Sequence, residues 1–334
     1  MKTTMKLLAL IWMIICLGAC KKENVVEPER IHKPGTAEQL GKLRENARNG
    51  MTQVFELEVT DQNESLSFTS ENGAIVKIPS GSLSHNGNPV TGTVKIEFIE
   101  IYTAGQMAIS NRTTMGLDQD GNLVPIITGG AFYIQAYKDG DKLDESAFIQ
   151  MEVPAHLTGG LDPEMILWKG EVDEEDNLTW ITLDNAGEKG ELGMGRGEDG
   201  EDGVYYAAFG GFGWTNIDKY ANDPREKTYI KVFVPEGFSN QNSLVYFREK
   251  GEKHALARMD VYDENEKFFS EHYGWVPIGM EAHLIFASAR SDGKWLVGIK
   301  SITVDESGSY TFSESESQIV NSDAEMTQMI DALP

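Results

Sequence analysis

Short runs in which apolar and polar residues alternate recur along most of this chain, and that period of two limits its fold more than any other feature. Phe55, Leu57 and Val59 alternate with Glu56 and Glu58; Val94, Ile96 and Phe98 alternate with Lys95 and Glu97. Successive side chains of a strand point to opposite faces, so each run has one face to bury and one for water. Leu66 and Phe68 and residues 74–78, 132–136, 148–153 and 165–168 continue the series, and 177–183 is placed to pair with the last of these across an acidic loop. Asn86-Gly87-Asn88-Pro89 and Asp139-Gly140 carry turn chemistry. The pattern breaks at residues 103–116.

A second series starts at Thr228. Tyr229, Lys231 and Phe233 alternate with Ile230, Val232 and Val234, and two largely apolar faces predict a central strand. Residues 244–247, 255–262 and 267–269 follow, and 283–289 joins 295–304 at Ser291-Asp292-Gly293, a hairpin signal. This density of short strands predicts a sandwich of immunoglobulin or transthyretin type. Between the two series, residues 171–203 are acidic and glycine-rich, as in a solvated loop or boundary.

The start of the chain has a different character. Lys2 and Lys6 precede an uncharged run over residues 7–17, the layout of a secretory signal. The run is too short to cross a bilayer core of about 30 Å, which takes roughly 20 residues. Leu17-Gly18-Ala19-Cys20 resembles the bacterial lipobox. The resemblance implies cleavage before Cys20, acylation of that cysteine with chains such as palmitate, and tethering to a membrane. Lys21 is not the aspartate that holds some lipoproteins at the inner membrane, so outer-membrane sorting is expected, facing either the cell surface or the periplasm. Thr36 and Gln39 have the spacing of a capping box, and Ala37, Leu40, Leu43 and Ala47 follow at helical spacing up to Gly50. A short helix on a flexible basic stalk is expected there, with its cations attracted to anionic headgroups.

Further motifs carry a second resemblance. Residues 73–79 (Gly-Ala-Ile-Val-Lys-Ile-Pro), 87–94 (Gly-Asn-Pro-Val-Thr-Gly-Thr-Val) and 129–132 (Gly-Gly-Ala-Phe) are similar to the β-sandwich module of ankyrins and netrin receptors, in the version found in secreted bacterial (Bacteroidota-like) lipoproteins. Gly213-Trp214-Thr215-Asn216-Ile217-Asp218 resembles a run that marks the passage between modules in those lipoproteins. The likeness implies a scaffold for protein contacts. Some relatives cleave themselves at a His-Phe-Ser or His-Phe-Thr step, but none of the six histidines here precedes phenylalanine.

The expected organisation is all-β, with two β-sandwich modules in tandem. A lipoprotein signal peptide at 1–19 and a tether with a short helix at 20–50 precede an N-terminal β-sandwich at 51–185. An acidic glycine-rich loop and linker at 186–226 leads to a C-terminal β-sandwich at 227–315 and an acidic tail at 316–334. The chain has two cysteines, one inside the signal and one at the lipidation site, so no disulfide, thiolate zinc site or cysteine nucleophile is available to the mature protein. A formal net charge of −24, more negative once Lys2 and Lys6 leave with the signal, repels phosphate backbones and excludes nucleic acid as a partner.

Residues that could carry chemistry are few. Asp118-Gln119-Asp120-Gly121-Asn122 begins like a calcium loop, but Leu123 stands where the sixth-position glycine belongs and Gly129 where the closing glutamate belongs. A hairpin turn is expected instead. Asp199, Glu201 and Asp202 offer a weak calcium site, the one cofactor expectation. No Gly-x-Ser-x-Gly elbow or His-Glu-x-x-His helix is present, and Ser291-Asp292-Gly293-Lys294 matches Ser-x-x-Lys only within the predicted turn. Trp214 and Trp275 each follow glycine at a strand junction and are the expected ligand contacts. The sequence therefore predicts a non-catalytic binding, adhesion or scaffold lipoprotein, with an envelope protein or surface polysaccharide as partner. A glycan-binding accessory protein, with tryptophans lining a groove, is one alternative. A hydrolase with an acidic pair in a cleft is the other.

Overall fold

Antiparallel pairing of the alternating runs builds the first half of the protein. Gln53–Val59 pairs with Gly92–Ile101, Phe55 opposite Ile96 and Leu57 opposite Val94, so the apolar members of both strands share one face. In this computed structural model residues 33–60, 65–196, 203–272 and 274–334 are described. The lipobox, Cys20 included, lies outside them.

The first sheet has eight strands. Gln53–Val59, Gly92–Ile101, Leu123–Lys138, Gly213–Tyr220, Ile166–Val172, Leu178–Thr182 and Met115–Leu117 follow in spatial order, and Asp141–Lys142 pairs with the end of Leu123–Lys138. A five-stranded sheet faces it, ordered Gly190–Arg196, Gly203–Phe209, Ile149–Pro154, Ile75–Pro79 and Ser65–Thr69. Phe68, Val76, Phe98, Phe132, Ile134 and Ile217 fill the space between. In the second half a five-stranded sheet, Ala257–Arg258, Ser243–Glu249, Glu281–Ala289, Trp295–Thr303 and Ser317–Val320, stacks on four strands, Val261–Asp263, Phe268–Ser270, Lys231–Phe233 and Ser309–Thr311. Val232, Val245, Phe247, Leu284, Phe286 and Phe312 form its core. The all-β fold is as the alternation predicts.

A third core lies between the halves. Ile99, Ile101, Trp168, Trp180 and Trp214 from the eight-stranded sheet meet Leu244, Tyr246, Ile285, Ala287 and Trp295 from the second half. Three helices complete it: α1 (Ala37–Met51), α2 (Ala104–Ser110) and α3 (Asp323–Asp331). The helix predicted behind Thr36 has its capping box, Thr36 Oγ1 accepting from Gln39 N and Gln39 Oε1 from Thr36 N. The helix itself is built into the folded unit. Leu40 and Ala47 are buried, and Gly35 N donates to Ala289 O at 2.8 Å. The stretch 103–116, where alternation fails, holds α2, opened by a second capping box between Thr103 and Gln106. α2 crosses α3 so closely that a Cβ on Gly105 would meet Thr327 O at 2.5 Å, and Gly105 N donates to Asp331 Oδ1 at 2.7 Å.

These contacts correct the expected boundaries. Residues 203–209 and 213–220, assigned to a linker, are strands inside the first two sheets, and Gly213–Tyr220 is central. Residues 204–209 read as a strand in the sequence as well, but the glycine-rich surroundings of both runs hid that they belong to these sheets. The expected acidic tail contains Ser317–Val320, a sheet strand, and α3, the short terminal helix that the sequence predicts over 324–333, whose Met326 and Ile330 are fully buried in the middle core. Residues 32–334 accordingly form one compact unit. Lys231–Phe233 is interior to its sheet, but Tyr229 is 57% exposed, so only one face is buried. Burial on both faces belongs instead to Ser243–Glu249 and Glu281–Ala289, which lie between two cores.

Trp180 is at the centre of this arrangement, 1% exposed, with its indole N–H donating to Thr113 O at 2.9 Å. Gly170 makes room for it, since a Cβ there would lie 2.8 Å from its ring and 2.6 Å from Trp214 Cβ. Trp180→Ala leaves a cavity between the halves and is expected to cost about 3–5 kcal/mol. Urea unfolding measures this, and with a core shared by both halves the wild type should lose them in a single transition.

Candidate functional site

Where the halves meet at the surface they leave a groove with a cavity volume of about 620 Å³. One wall begins with the turn after Met115–Leu117. Asp118 Oδ1 accepts from Asp120 N and Asn122 N at 2.9 and 2.8 Å, and Asn122 Nδ2 donates to Asp118 Oδ2 at 3.0 Å. This is the hairpin turn predicted there, joining Met115–Leu117 to Leu123–Lys138. These bonds hold the Asp118 carboxyl below its usual range, Asn122 contributing most. Val124, Pro125 and Ile127 continue the wall, and Tyr220 and residues 221–223 close it. Phe247, Ala257, Trp275, Pro277 and Met280 form the opposite wall.

The groove is apolar below and acidic above. Asp118, Asp120, Asp223, Glu249 and Glu252 line it, with Lys227 as the one cationic lining residue. Arg225 stands beside the rim and is engaged by Asp223, Nε to Oδ1 at 3.0 Å, with Glu249 Oε1 3.9 Å from Nη2. That pairing lowers the Asp223 pKa. Burial raises the Glu249 pKa; Arg225 offsets part of the effect, while Asp223 and Glu252 add to it. Glu249 is therefore a partly desolvated carboxyl with Asp223 and Glu252 nearby as well as Arg225, a place where a further cation would be stabilising.

The predicted site residues are not gathered in one place. Trp275 lies on the groove wall, 7% exposed, edge-on to Phe247 with ring centroids 5.5 Å apart. Trp214 is not among the residues that line the groove. It is 9% exposed in the middle core, against Trp180 and Tyr133, because its position on Gly213–Tyr220 faces the second half. Trp168, Trp180 and Trp295 are buried there too. Asp199, Glu201 and Asp202 lie outside the described residues. Among the described residues no group of three or more His, Cys, Asp or Glu side chains is arranged to hold a metal ion. Ser291-Asp292-Gly293-Lys294 forms the predicted turn, with Arg290 N donating to Lys294 O at 2.8 Å.

The sequence singles out the turn holding Asp118 and Asp120 but not Asp223, Glu249 and Glu252, because the acids of the groove come from three separate segments. The turns Asp118–Asn122 and Asp173–Asn177 share one five-residue spacing and one bonding pattern, but only the first of them lines the groove. The Gly-Trp-Thr-Asn-Ile-Asp run also has a structural meaning. Asn216 and Asp218 are fully buried on either side of a register shift against Leu123–Lys138, opposite Ala131 and Thr128. Burial pushes the Asp218 carboxyl up to about 8, with the Thr128 and Asn216 side chains pulling the other way. The groups facing it from the flanking strands, Thr128 and Ile166, are uncharged. On the loop that packs over Thr128, His254 Nδ1 is bonded to Tyr102 O, and Glu252 Oε1 accepts from His254 N.

Compared with known proteins, the chain matches no protein-family model and no curated protein.

Asp218 gives stability a pH dependence whose sign follows from its raised value. Between about pH 4 and 8 the folded protein holds a proton that the unfolded chain releases, so this group's contribution falls as pH rises through that window. The slope is at most about 1.4 kcal/mol per pH unit. Denaturant titrations at several pH values should show the fall in the wild type and a flatter profile in Asp218→Asn; equal slopes would mean that another group controls it.

Proposed function

We propose that this chain is a membrane-anchored envelope lipoprotein that acts by binding rather than catalysis, and that the groove between its halves is the contact site. The observation that carries the reading is the pairing of an apolar wall, Phe247, Trp275 and Met280, with a rim of five carboxylates. An extended protein segment bearing both apolar and cationic side chains matches that surface. Its apolar groups would remove the wall from water, and its lysines or arginines would meet Glu249 and Glu252, where partial burial strengthens the attraction. An envelope protein offering such a segment fits better than a polysaccharide, because Trp275 presents little ring face for a sugar. The lipobox at Cys20 supports anchoring, and outer-membrane residence remains part of the proposal.

Fluorescence anisotropy with labelled peptides tests the site. Peptides mixing aromatic and basic residues should bind the purified chain and weaken as salt is raised. Glu249→Gln with Glu252→Gln should reduce affinity roughly tenfold, about 1.4 kcal/mol. Equal binding by the double variant, or preference for an acidic peptide, would remove the groove from consideration. Protease treatment of intact cells, alongside a Cys20→Ala form, tests the anchor: the variant should leave the membrane fraction, and cleavage of the wild type on intact cells would place it on the outer face.

A further inference from the structure

Four arginines converge on one carboxylate in this strongly acidic protein. Arg44 and Arg48 come from α1, Arg112 follows the C-terminus of α2, and Arg258 lies in Ala257–Arg258. Asp176 is the acid that the first three share. Its Oδ2 is 3.0 Å from Arg48 Nη1 and 3.8 Å from Arg44 Nε, and its Oδ1 accepts from Arg112 Nη2 at 2.6 Å. Arg258 donates to Asn177 Oδ1 next door. One carboxylate cannot balance four guanidiniums, so the pocket is locally cationic in a chain whose net charge is −24.

The hydrogen bonding is unbalanced as well. Ser110 O takes Arg48 Nη1 at 3.0 Å, and the carbonyls of Asn111 and Asp176 take Arg112 Nη1 at 3.1 Å. The Nε groups of Arg44, Arg112 and Arg258 are buried and make no hydrogen bond, Arg44 Nε reaching Asp176 Oδ2 only at ion-pair distance. A buried charged donor left unpaired is costly, and three around one acid call for an acceptor. Arg112 is only 4% exposed and packs over the Trp214 ring at 5.4 Å, so it cannot turn out to solvent without breaking the middle core. Burial lowers the Arg44 and Arg112 pKa values, Asp176 opposing the shift and the other arginines adding to it. The Asp176 side chain is 29% exposed and gives the cluster an opening to solvent.

We propose that Arg44, Arg112 and Arg258 form, beside Asp176, a binding site for an oxyanion of phosphate or sulfate size. Such an anion supplies several acceptor oxygens, which guanidinium N–H groups bind in charge-assisted geometry, and it neutralises the surplus. Because α1, α2 and Ala257–Arg258 all contribute, a bound anion would also tie the N-terminal helix to both halves. The anion could be free in solution or be the phosphate of a lipid headgroup.

Thermal unfolding of the full chain, with phosphate or sulfate exchanged for chloride at constant ionic strength, tests the proposal. A saturable rise of several degrees in Tm is expected, lost in Arg258→Gln. Asp176→Asn removes the competing carboxylate; it should be less stable than wild type in chloride yet bind phosphate at least fivefold more tightly. A wild type and an Asp176→Asn protein that both respond to phosphate no more than to chloride would overturn the site. For the Cys20→Ala form, sedimentation with phosphatidic acid vesicles but not phosphatidylcholine vesicles, abolished by Arg258→Gln, would assign the phosphate to a headgroup. A phosphate-specific shift without vesicle binding would assign it to a soluble anion.

Discussion

The stacking of Trp168, Trp180 and Trp214 against the second half is the contact on which the rest of the structure depends. Each half has its own core, but the eight-stranded sheet turns its other face, rich in large aromatic side chains, toward Leu244, Tyr246 and Ile285. Burying large apolar surface is the dominant favourable contribution to such an association. The groove exists because this packing stops short of the surface, leaving Tyr220 on one side and Phe247 with Trp275 on the other. A change inside the middle core would therefore reach the groove without touching its lining.

The same junction concentrates the protein's awkward polar groups. Trp168 and Trp180 satisfy their indole N–H groups on Asp218 O and Thr113 O. Tyr246, fully buried, donates to Ala108 O at 3.0 Å, and burial pushes its phenol up to about 12. Arg248 is spent on the end of the chain, donating to Ile330 O at 2.6 Å and Leu333 O at 3.3 Å. The Asp176 arginines and the Asn216–Asp218 pair differ, because the protein itself leaves some of their atoms without partners. A buried polar network that is only partly satisfied is a point where protons, ions or ligands couple to stability.

Hairpins were legible because strand register is a local matter. Leu178–Thr182 folds back on Ile166–Val172, and Glu281–Ala289 on Trp295–Thr303, each across a turn whose residues announce it. α1 was legible through Thr36 and Gln39, whereas α2 went unread although Thr103 and Gln106 carry the same signature. Seven residues are too few for an apolar period to show, and six of them are buried on all sides. The run Gly210-Gly211-Phe212-Gly213 disguised a central strand as a linker, since composition reports flexibility in water and not the neighbours that remove it. Of the two tryptophans expected as ligand contacts, Trp275 lies on the groove wall and Trp214 in the middle core.

By itself the sequence determined what depends on neighbours a few residues apart: the all-β class, most hairpins, the capped first helix and the turn at Asp118. It also determined the charge balance. Only the tertiary structure decided that the two halves share a core, that the first and last helices are built into it, and that acids from three segments rim one groove. It alone brought Arg44, Arg112 and Arg258 to Asp176. The reason is physical: alternation tells a strand that one face will be buried but not what buries it, and contacts between residues two hundred positions apart leave no local period to read.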